Sequence, residues 1–195
     1  MTWYAIEGTD GSGKTTVGDI VERELKARGR SVLVITHPNL ENKYGQKASK
    51  YLHGKDSIDT KTLATYNYIR DVLKSLKYKK KHESEYDDII FVRYSMAAAY
   101  LPRPLIKMGY RFIEVVLPVP EVKIFVDIEP AVAYERITSR GDDLEIFESP
   151  ESLQKTRDKM HLISGSWHII DNSGSPEETE RAVVSFLSDT LDNKT

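Results

Sequence analysis

Short apolar runs rich in β-branched residues alternate along the chain with longer segments whose apolar residues recur at helical spacing. In the first such segment, Val17, Ile20, Val21 and Leu25 share one side. The pattern predicts strands at residues 2–6, 31–36, 88–92, 123–128 and 167–170, and helices at 15–28, 61–78, 105–115, 131–140 and 175–191. Uniformly apolar strands that alternate with helices are typical of a parallel sheet covered on both faces. The sequence therefore predicts a three-layer α/β fold with about five parallel strands.

Composition narrows the class of protein. A length of 195 residues without an internal repeat predicts a single domain, residues 1–195. The formal net charge of −2 argues against a protein that grips long nucleic acid through its backbone. Because the chain has no cysteine, disulfides and thiolate chemistry are excluded. The N-terminal segment does not resemble a signal peptide and no apolar run is long enough to cross a bilayer, so a cytoplasmic protein without a membrane partner is expected.

One motif carries specific chemistry. The letters GTDGSGKT at residues 8–15 match the phosphate-loop pattern GxxxxGK[ST] without a mismatch, between a predicted strand and a predicted helix. Backbone N–H groups and the helix N-terminus are expected to bind the phosphates of ATP, with Lys14 neutralising charge and Thr15 ligating Mg²⁺. The predicted ATP-binding residues are Gly8, Thr9, Asp10, Gly11, Ser12, Gly13, Lys14, Thr15 and Thr16. The alternative is an ordinary glycine-rich turn that begins a helix.

The remaining sequence limits the reaction. A GTPase would carry an Asn-Lys-x-Asp motif, but the pair Asn42-Lys43 is followed by Gly45 at the position of the aspartate. A motor or transport ATPase would need a longer chain. A small kinase remains.

Beyond the phosphate loop, the sequence resembles the thymidylate kinase family along almost the whole chain. The resemblance is carried by IEGTDGSGKTT at residues 6–16, LATYNYIR at 63–70, RY at 93–94 with AY at 99–100, VDIEP at 126–130 continuing to Arg136 and Arg140-Gly141, and FE at 147–148 with Leu153 and Arg157. The first stretch is specific for phosphate loops in general, and the others persuade through their order and spacing.

The resemblance implies roles for the acceptor site. Asp10 would accept a hydrogen bond from the sugar 3′-hydroxyl, Tyr66 would lie against the acceptor base, and Arg70 would hydrogen-bond the edge of that base. One helical turn separates Tyr66 from Arg70, so both can face one pocket. Arg93 would bind the acceptor phosphate. The further candidates for substrate contact are His37 and Tyr100.

The resemblance also implies a mobile lid over ATP, at approximately residues 138–150, bordered by Arg136 and Arg140. Because Gly11 stands where some family members have arginine, the lid would supply the catalytic arginine, and Arg140 is the candidate. The predicted catalytic residues are Lys14, Arg93 and Arg140. Cationic stabilisation and water exclusion are what phosphoryl transfer requires of such residues.

Several of these residues have a structural alternative. Tyr66 has the spacing of a core residue, and Arg70 could pair with a surface carboxylate such as Asp71. Arg140 could instead stabilise the end of a helix as a cation against its dipole. Arg93 follows the carboxyl end of an apolar strand, where open α/β sheets bind ligands, which favours a functional role.

Three features depart from the family pattern. Val92 replaces the aspartate that usually precedes the Arg-Tyr pair, so either Asp10 or Glu7 would compensate or activity would be weak. The carboxyl end of the Val92 strand is expected to open into the cleft beside Thr15, and a buried packing role for Val92 is the alternative. The stretch 36–41 lacks the family's arginine for the acceptor phosphate, and residues 142–145 make the lid acidic. These departures affect thymidylate specificity more than kinase chemistry.

The leading hypothesis is ATP- and Mg²⁺-dependent phosphorylation of a nucleoside monophosphate, with dTMP as the first candidate. One alternative is a kinase for another nucleotide, a nucleoside or a small phosphorylated metabolite. Another is a nucleotide-binding regulator without turnover. The resemblance also implies a homodimer.

Overall fold

The computed structural model describes residues 1–54, 57–139, 141 and 148–192. Its strands are β1 Thr2–Gly8, β2 Val32–Thr36, β3 Asp88–Val92, β4 Val122–Asp127 and β5 His168–Asp171. Its α-helices are α1 Lys14–Ala27, α2 Lys43–Leu52, α3 Ile58–His82, α4 Ile106–Val116, α5 Pro130–Ser139, α6 Pro150–His161 and α7 Pro176–Asp192. Two short 3₁₀ helices, Met96–Tyr100 and Arg103–Leu105, precede α4.

All five strands are parallel, in the order β2-β3-β1-β4-β5. Alternating side chains of the central strand enter two separate cores. Trp3 and Ala5 pack with Val72 of α3 and Tyr110 of α4, and Met160 of α6 belongs to the same cluster. On the opposite face, the core is formed with the apolar sides of α1 and α7. The predicted three-layer α/β fold with a five-stranded parallel sheet is therefore confirmed.

Two helices were not predicted, because neither shows a continuous apolar period. Helix α2 is mostly polar, and it begins where the Asn42 side chain accepts hydrogen bonds from the N–H groups of Tyr44 and Gly45. Helix α6 begins at Pro150 after Ser149, whose side chain accepts from Ser152 N–H. Local capping, rather than hydrophobic periodicity, marks both helices in the sequence.

Helix α3 is longer than the predicted 61–78, since it starts after a Ser57 cap and continues to His82. The other predicted elements agree with the structure to within one or two residues at each end. Within the described part of the chain, no helix combines the length and apolar character needed to span a membrane.

Candidate active site

Val92, the last residue of β3, is paired with Ile6 of β1 on one side and with Thr36, the last residue of β2, on the other. The next residue along each strand is ionisable: Glu7, His37 and Arg93. Because side chains alternate between the faces of a strand, these three continue the rows that pack beneath α3. The sheet register thus gathers a carboxylate, an imidazole and a guanidinium at one edge.

The phosphate loop connects β1 to α1 beside this cluster. Gly11 and Gly13 have φ angles of 73° and 85°, in the left-handed region that favours glycine. A Cβ at Gly13 would lie 2.3 Å from Asn172 Nδ2, and this amide donates a hydrogen bond to Ser12 O at 2.7 Å. Asn172, the first residue after β5, therefore packs against the loop at Ser12 and Gly13. No sequence motif marked it, because its contact with the loop is purely tertiary.

Lys14 is buried beneath the loop. Its Nζ donates to Gly8 O at 3.0 Å and to Thr9 O at 2.5 Å, and lies 3.6 Å from Asp10 Oδ1. Burial and the charge of Arg93 lower the pKa of Lys14 to about 8, although Asp10 opposes that shift. The ammonium is therefore held among oxygen atoms at the base of the phosphate loop.

Arg93 is joined to the phosphate loop by an ion pair. Its Nη2 donates to Asp10 Oδ1 at 2.9 Å, and its side chain remains about one-third exposed, at 34%. Burial acts to raise the pKa of Asp10, but the charges of Lys14 and Arg93 outweigh it and lower that pKa to about 2. Asp10 is consequently a carboxylate shared between two cations.

Glu7 is the buried carboxylate behind this pair. Its Oε1 accepts hydrogen bonds from Tyr94 N–H at 2.5 Å and from Met96 N–H at 2.9 Å. Burial raises the pKa of Glu7, against the lowering effect of both hydrogen bonds. Sequence reasoning treated Glu7 only as a substitute metal carboxylate. Glu7 is the one acidic residue in an otherwise apolar strand, and this position could have indicated that its carboxylate binds backbone groups.

An open cavity extends from the loop along α3. The residues that line it are Glu7, Gly8, Asp10, Pro38, Leu52, Ala64, Thr65, Tyr68, Arg93, Ala97, Tyr100 and Met160. Three predicted substrate-binding residues, Asp10, Arg93 and Tyr100, are therefore brought together. The acidic and basic side chains lie at the end beside the loop, and the wall formed by α2 and α3 is mainly apolar.

Tyr66 and Arg70, whose substrate roles stay predictions, are not among the residues that line the cavity. Tyr66 is 52% exposed, so it is not a core residue either. Arg70 Nη1 donates to Tyr66 Oη at 2.5 Å, and Nη2 donates to Tyr44 Oη at 2.9 Å. Successive residues of a helix point in different directions around its axis. In α3, Thr65 and Tyr68 therefore face the cavity, whereas Tyr66 points away from it.

His37 is also placed differently from the prediction. Its side chain is fully buried, and Nδ1 lies 2.7 Å from Arg93 O, so the ring contacts the arginine rather than the cavity. Pro38, the next residue, reaches the cavity instead.

Comparison with known proteins identifies the family of this chain. A model of the thymidylate kinase family matches residues 6–183. The chain belongs to the thymidylate kinase family. It is 27% identical to a probable thymidylate kinase of Archaeoglobus fulgidus over 94% of this chain and 95% of that protein. It is 29% identical to a thymidylate kinase of Leptospira borgpetersenii, over 90% of this chain and 88% of that protein.

A vertebrate relative, the thymidylate kinase of Danio rerio, is 23% identical over 91% of this chain and 85% of that protein. Membership in this family makes the chain a thymidylate-kinase-like phosphotransferase with nucleotide kinase activity.

The donor side of the site is only partly described. Arg136 of α5 approaches the loop, since its Nη1 would lie 3.9 Å from a Cβ placed on Gly13. Arg140 and the acidic residues 142–145 lie outside the described residues. Their proposed roles in a thymidylate kinase lid therefore stay predictions.

The residues of the loop fit ATP and magnesium. Ser12 Oγ is buried and has no hydrogen-bond partner among the described residues, which leaves a polar atom inside the loop for a phosphate. Thr15 presents an exposed hydroxyl at the first turn of α1. Within the described ranges, no three His, Asp or Glu side chains form a metal cluster, but Mg²⁺ needs only one or two protein oxygens beside phosphate and water.

Val92, at the sequence position of the family aspartate, has a buried side chain. It is 1% exposed and packs with Ile6, Val17 and Ile90 on the α1 face of the sheet. A Cβ on Gly18 would lie 3.3 Å from Val92 Cγ2, which shows how closely α1 covers it. Of the two alternatives for Val92, the structure has the buried packing residue, because strand alternation turns its side chain into the core.

Proposed function

We propose that the protein transfers the γ-phosphoryl group of ATP to a nucleoside monophosphate, with dTMP as the acceptor. The observation that carries this proposal is the Arg93–Asp10 ion pair, which joins a phosphate loop to an open cavity. Arg93 offers a partly exposed guanidinium where the acceptor phosphate would face the loop. Such a guanidinium favours a phosphate because it can bind two oxygens at once.

The loop residues supply the donor half. Backbone N–H groups of residues 8–15 and the Ser12 hydroxyl bind the ATP phosphates, and Lys14 neutralises charge on the transferring group. Thr15 would hold Mg²⁺, and the bound ion would supply further positive charge beside the phosphates. On this proposal Lys14 leaves the carbonyl groups of Gly8 and Thr9 when a phosphate replaces them.

The acceptor nucleoside occupies the remainder of the cavity. Asp10 binds the sugar hydroxyl, and the base lies between Tyr68, Leu52 and Thr65, where the wall is apolar. None of the α3 residues that line this cavity is cationic, and Arg70 is hydrogen-bonded to Tyr44 outside it. A kinase for another pyrimidine monophosphate is therefore the second candidate.

The segment at approximately 138–150 is proposed as the lid of a single domain formed by residues 1–195. Arg140 in that segment, with Arg136 at its border, would stabilise charge on the transferring phosphoryl group and help exclude water.

A homodimer is proposed from two rows of exposed apolar side chains on the same face of the sheet. On α3 these are Leu63, Tyr66, Ile69 and Leu73, and on α4 they are Met108, Phe112, Val115 and Val116. Exposed apolar patches of this extent mark interfaces. A second copy is the proposed partner because the family resemblance implies one.

A coupled assay for ADP release tests the function. The purified protein, ATP and Mg²⁺ would be mixed with dTMP, dUMP, dCMP, dGMP or thymidine, and we expect dTMP to give the highest kcat/KM. A higher kcat/KM with dUMP or dCMP than with dTMP would favour the second candidate. ATP binding without turnover on any acceptor would contradict the proposal and support the regulator alternative.

A further inference from the structure

Arg93 has an unusual backbone conformation for a residue with a side chain. Its φ is 66°, in the left-handed region that non-glycine residues seldom occupy. Arg93 N–H donates to Ile6 O at 2.9 Å, which fixes only the start of the turn. The direction of the guanidinium therefore depends on the groups that hold the carbonyl side of Arg93 and the residues after it.

His37 makes two contacts with Arg93. The ring Nδ1 lies 2.7 Å from Arg93 O, and Arg93 Nη1 donates to His37 O at 3.3 Å. Because a carbonyl oxygen only accepts, Nδ1 must carry the hydrogen, and the neutral ring is fixed as the tautomer with a bare Nε2. The His37 imidazole thus holds the backbone of Arg93, and the backbone carbonyl of His37 accepts from the Arg93 side chain.

The surroundings keep this ring neutral. Phe91 and Tyr68 meet it edge-on, with ring centroids 5.3 and 6.2 Å away. Nε2 is buried and has no hydrogen-bond partner among the described residues, so protonation would bury an unpaired N–H. Burial accordingly lowers the pKa of His37.

The charged groups that face His37 are Asp71 of α3 and Arg93 itself, and the Tyr68 phenol is the other titratable neighbour. Asp71 favours the charged ring, but its two oxygens already accept from Asn39 N–H at 2.7 Å and Asn42 Nδ2 at 2.5 Å. The carboxylate is therefore satisfied without the imidazole, and the ring can use Nδ1 for Arg93.

We propose that His37 is a positioning residue, which acts through its Nδ1–H bond to Arg93 O and keeps the Arg93 guanidinium directed at the acceptor phosphate. Glu7 assists from the other side by holding Tyr94 N–H and Met96 N–H. The inference rests on the proposed function, since it takes Arg93 to bind that phosphate.

Two substitutions separate positioning from packing. His37→Phe keeps an aromatic ring but removes the donor, whereas His37→Asn places an amide donor near the position of Nδ1. We expect His37→Phe to raise KM for dTMP about tenfold and to change KM for ATP less than about twofold, with His37→Asn recovering most of the loss. Equal changes in both KM values, or no change in a folded His37→Phe protein, would overturn the proposal. His82→Phe, at the far end of α3, is the matched control.

A second experiment uses the unsubstituted protein, so it tests the proposal even if a variant does not fold. In ¹⁵N NMR spectra of the unsubstituted protein, the His37 ring should show the Nδ1–H tautomer and stay neutral below about pH 6, the range in which an ordinary histidine becomes charged. An Nε2–H tautomer, or an ordinary titration, would refute the positioning role. Absence of turnover on every monophosphate, with the Nδ1–H tautomer present, would instead refute the proposed function alone.

Discussion

Asp10 and Arg93 form an ion pair that joins the two halves of the site, with Arg93 Nη2 2.9 Å from Asp10 Oδ1. Asp10 belongs to the loop for the phosphate donor, and Arg93 lies in the cavity proposed for the acceptor. Lys14 Nζ is also 3.6 Å from the same oxygen. One carboxylate therefore partly neutralises both the cation of the phosphate loop and the cation of the acceptor cavity.

Replacing Lys14 with methionine should lower kcat by at least about a hundredfold, because it removes charge stabilisation of the transferring phosphoryl group. Methionine fills most of the volume of the buried lysine, so the thermal midpoint should change little. Lys26→Met, an exposed position in the same helix, is the control. Turnover within a few fold of the parent would contradict the assignment of the phosphate loop.

The affinity for ATP should depend on pH through Lys14. With a pKa of about 8, its ammonium is largely charged at neutral pH and loses its proton as the pH rises through that value. Phosphates favour the charged form, so affinity should be full below the pKa and fall above it, with proton uptake on binding near pH 8. Calorimetry in buffers of different ionisation enthalpy measures this uptake. Lys14→Met should abolish it, and a pH-independent affinity in the parent would refute the prediction.

Tyr68→Ala and Tyr66→Ala form a matched pair on α3. Tyr68 lines the cavity, whereas Tyr66 is exposed and hydrogen-bonded to Arg70. Stacking on a base is worth ~1–3 kcal/mol, so Tyr68→Ala should raise KM for the acceptor about tenfold, and Tyr66→Ala should leave it nearly unchanged. Steady-state kinetics at saturating ATP gives the KM for dTMP of each variant. The reverse order would show that Tyr66 contacts the base during turnover.

Val92→Asp should destabilise the protein by about 3 kcal/mol or more, because it buries a carboxylate with no partner in the core beneath α1. Denaturant unfolding measures the free energy of unfolding. The control is Val92→Thr, which keeps the shape of valine and adds one hydroxyl, and its stability should lie between those of the parent and of Val92→Asp. A stable Val92→Asp protein with increased turnover or a lower magnesium requirement would show that the aspartate can reach the metal.

Phe112→Glu should convert the protein to a monomer if α3 and α4 form the dimer interface. Phe112 is 65% exposed, so a charge there should leave the fold intact while preventing apolar contact between two copies. Sedimentation velocity measures the mass of the species in solution. Lys107→Glu on the same helix is the control for added negative charge, and a parent protein that sediments as a monomer would rule out the proposed interface.

The sequence by itself determined the architecture and the donor half of the site. Apolar runs such as Ile89 to Val92 are long enough to identify buried parallel strands, and the pattern GxxxxGK[ST] requires a particular loop wherever it joins a strand to a helix. These features are local, so periodicity and motif spacing are sufficient to find them. The position of Arg93 after an apolar strand likewise followed from where parallel strands end.

Only the tertiary structure decided which side chains meet in the acceptor half. The orientation of α3 places Tyr68, and not Tyr66, among the residues that line the cavity. Strand alternation turns Val92 into the core, whereas Arg93 lines the cavity. His37 changed from a ligand contact to a buried partner of Arg93 because β2 and β3 end in register. Helix rotation and strand register are set by packing against distant elements, and a linear pattern of residues does not contain that information.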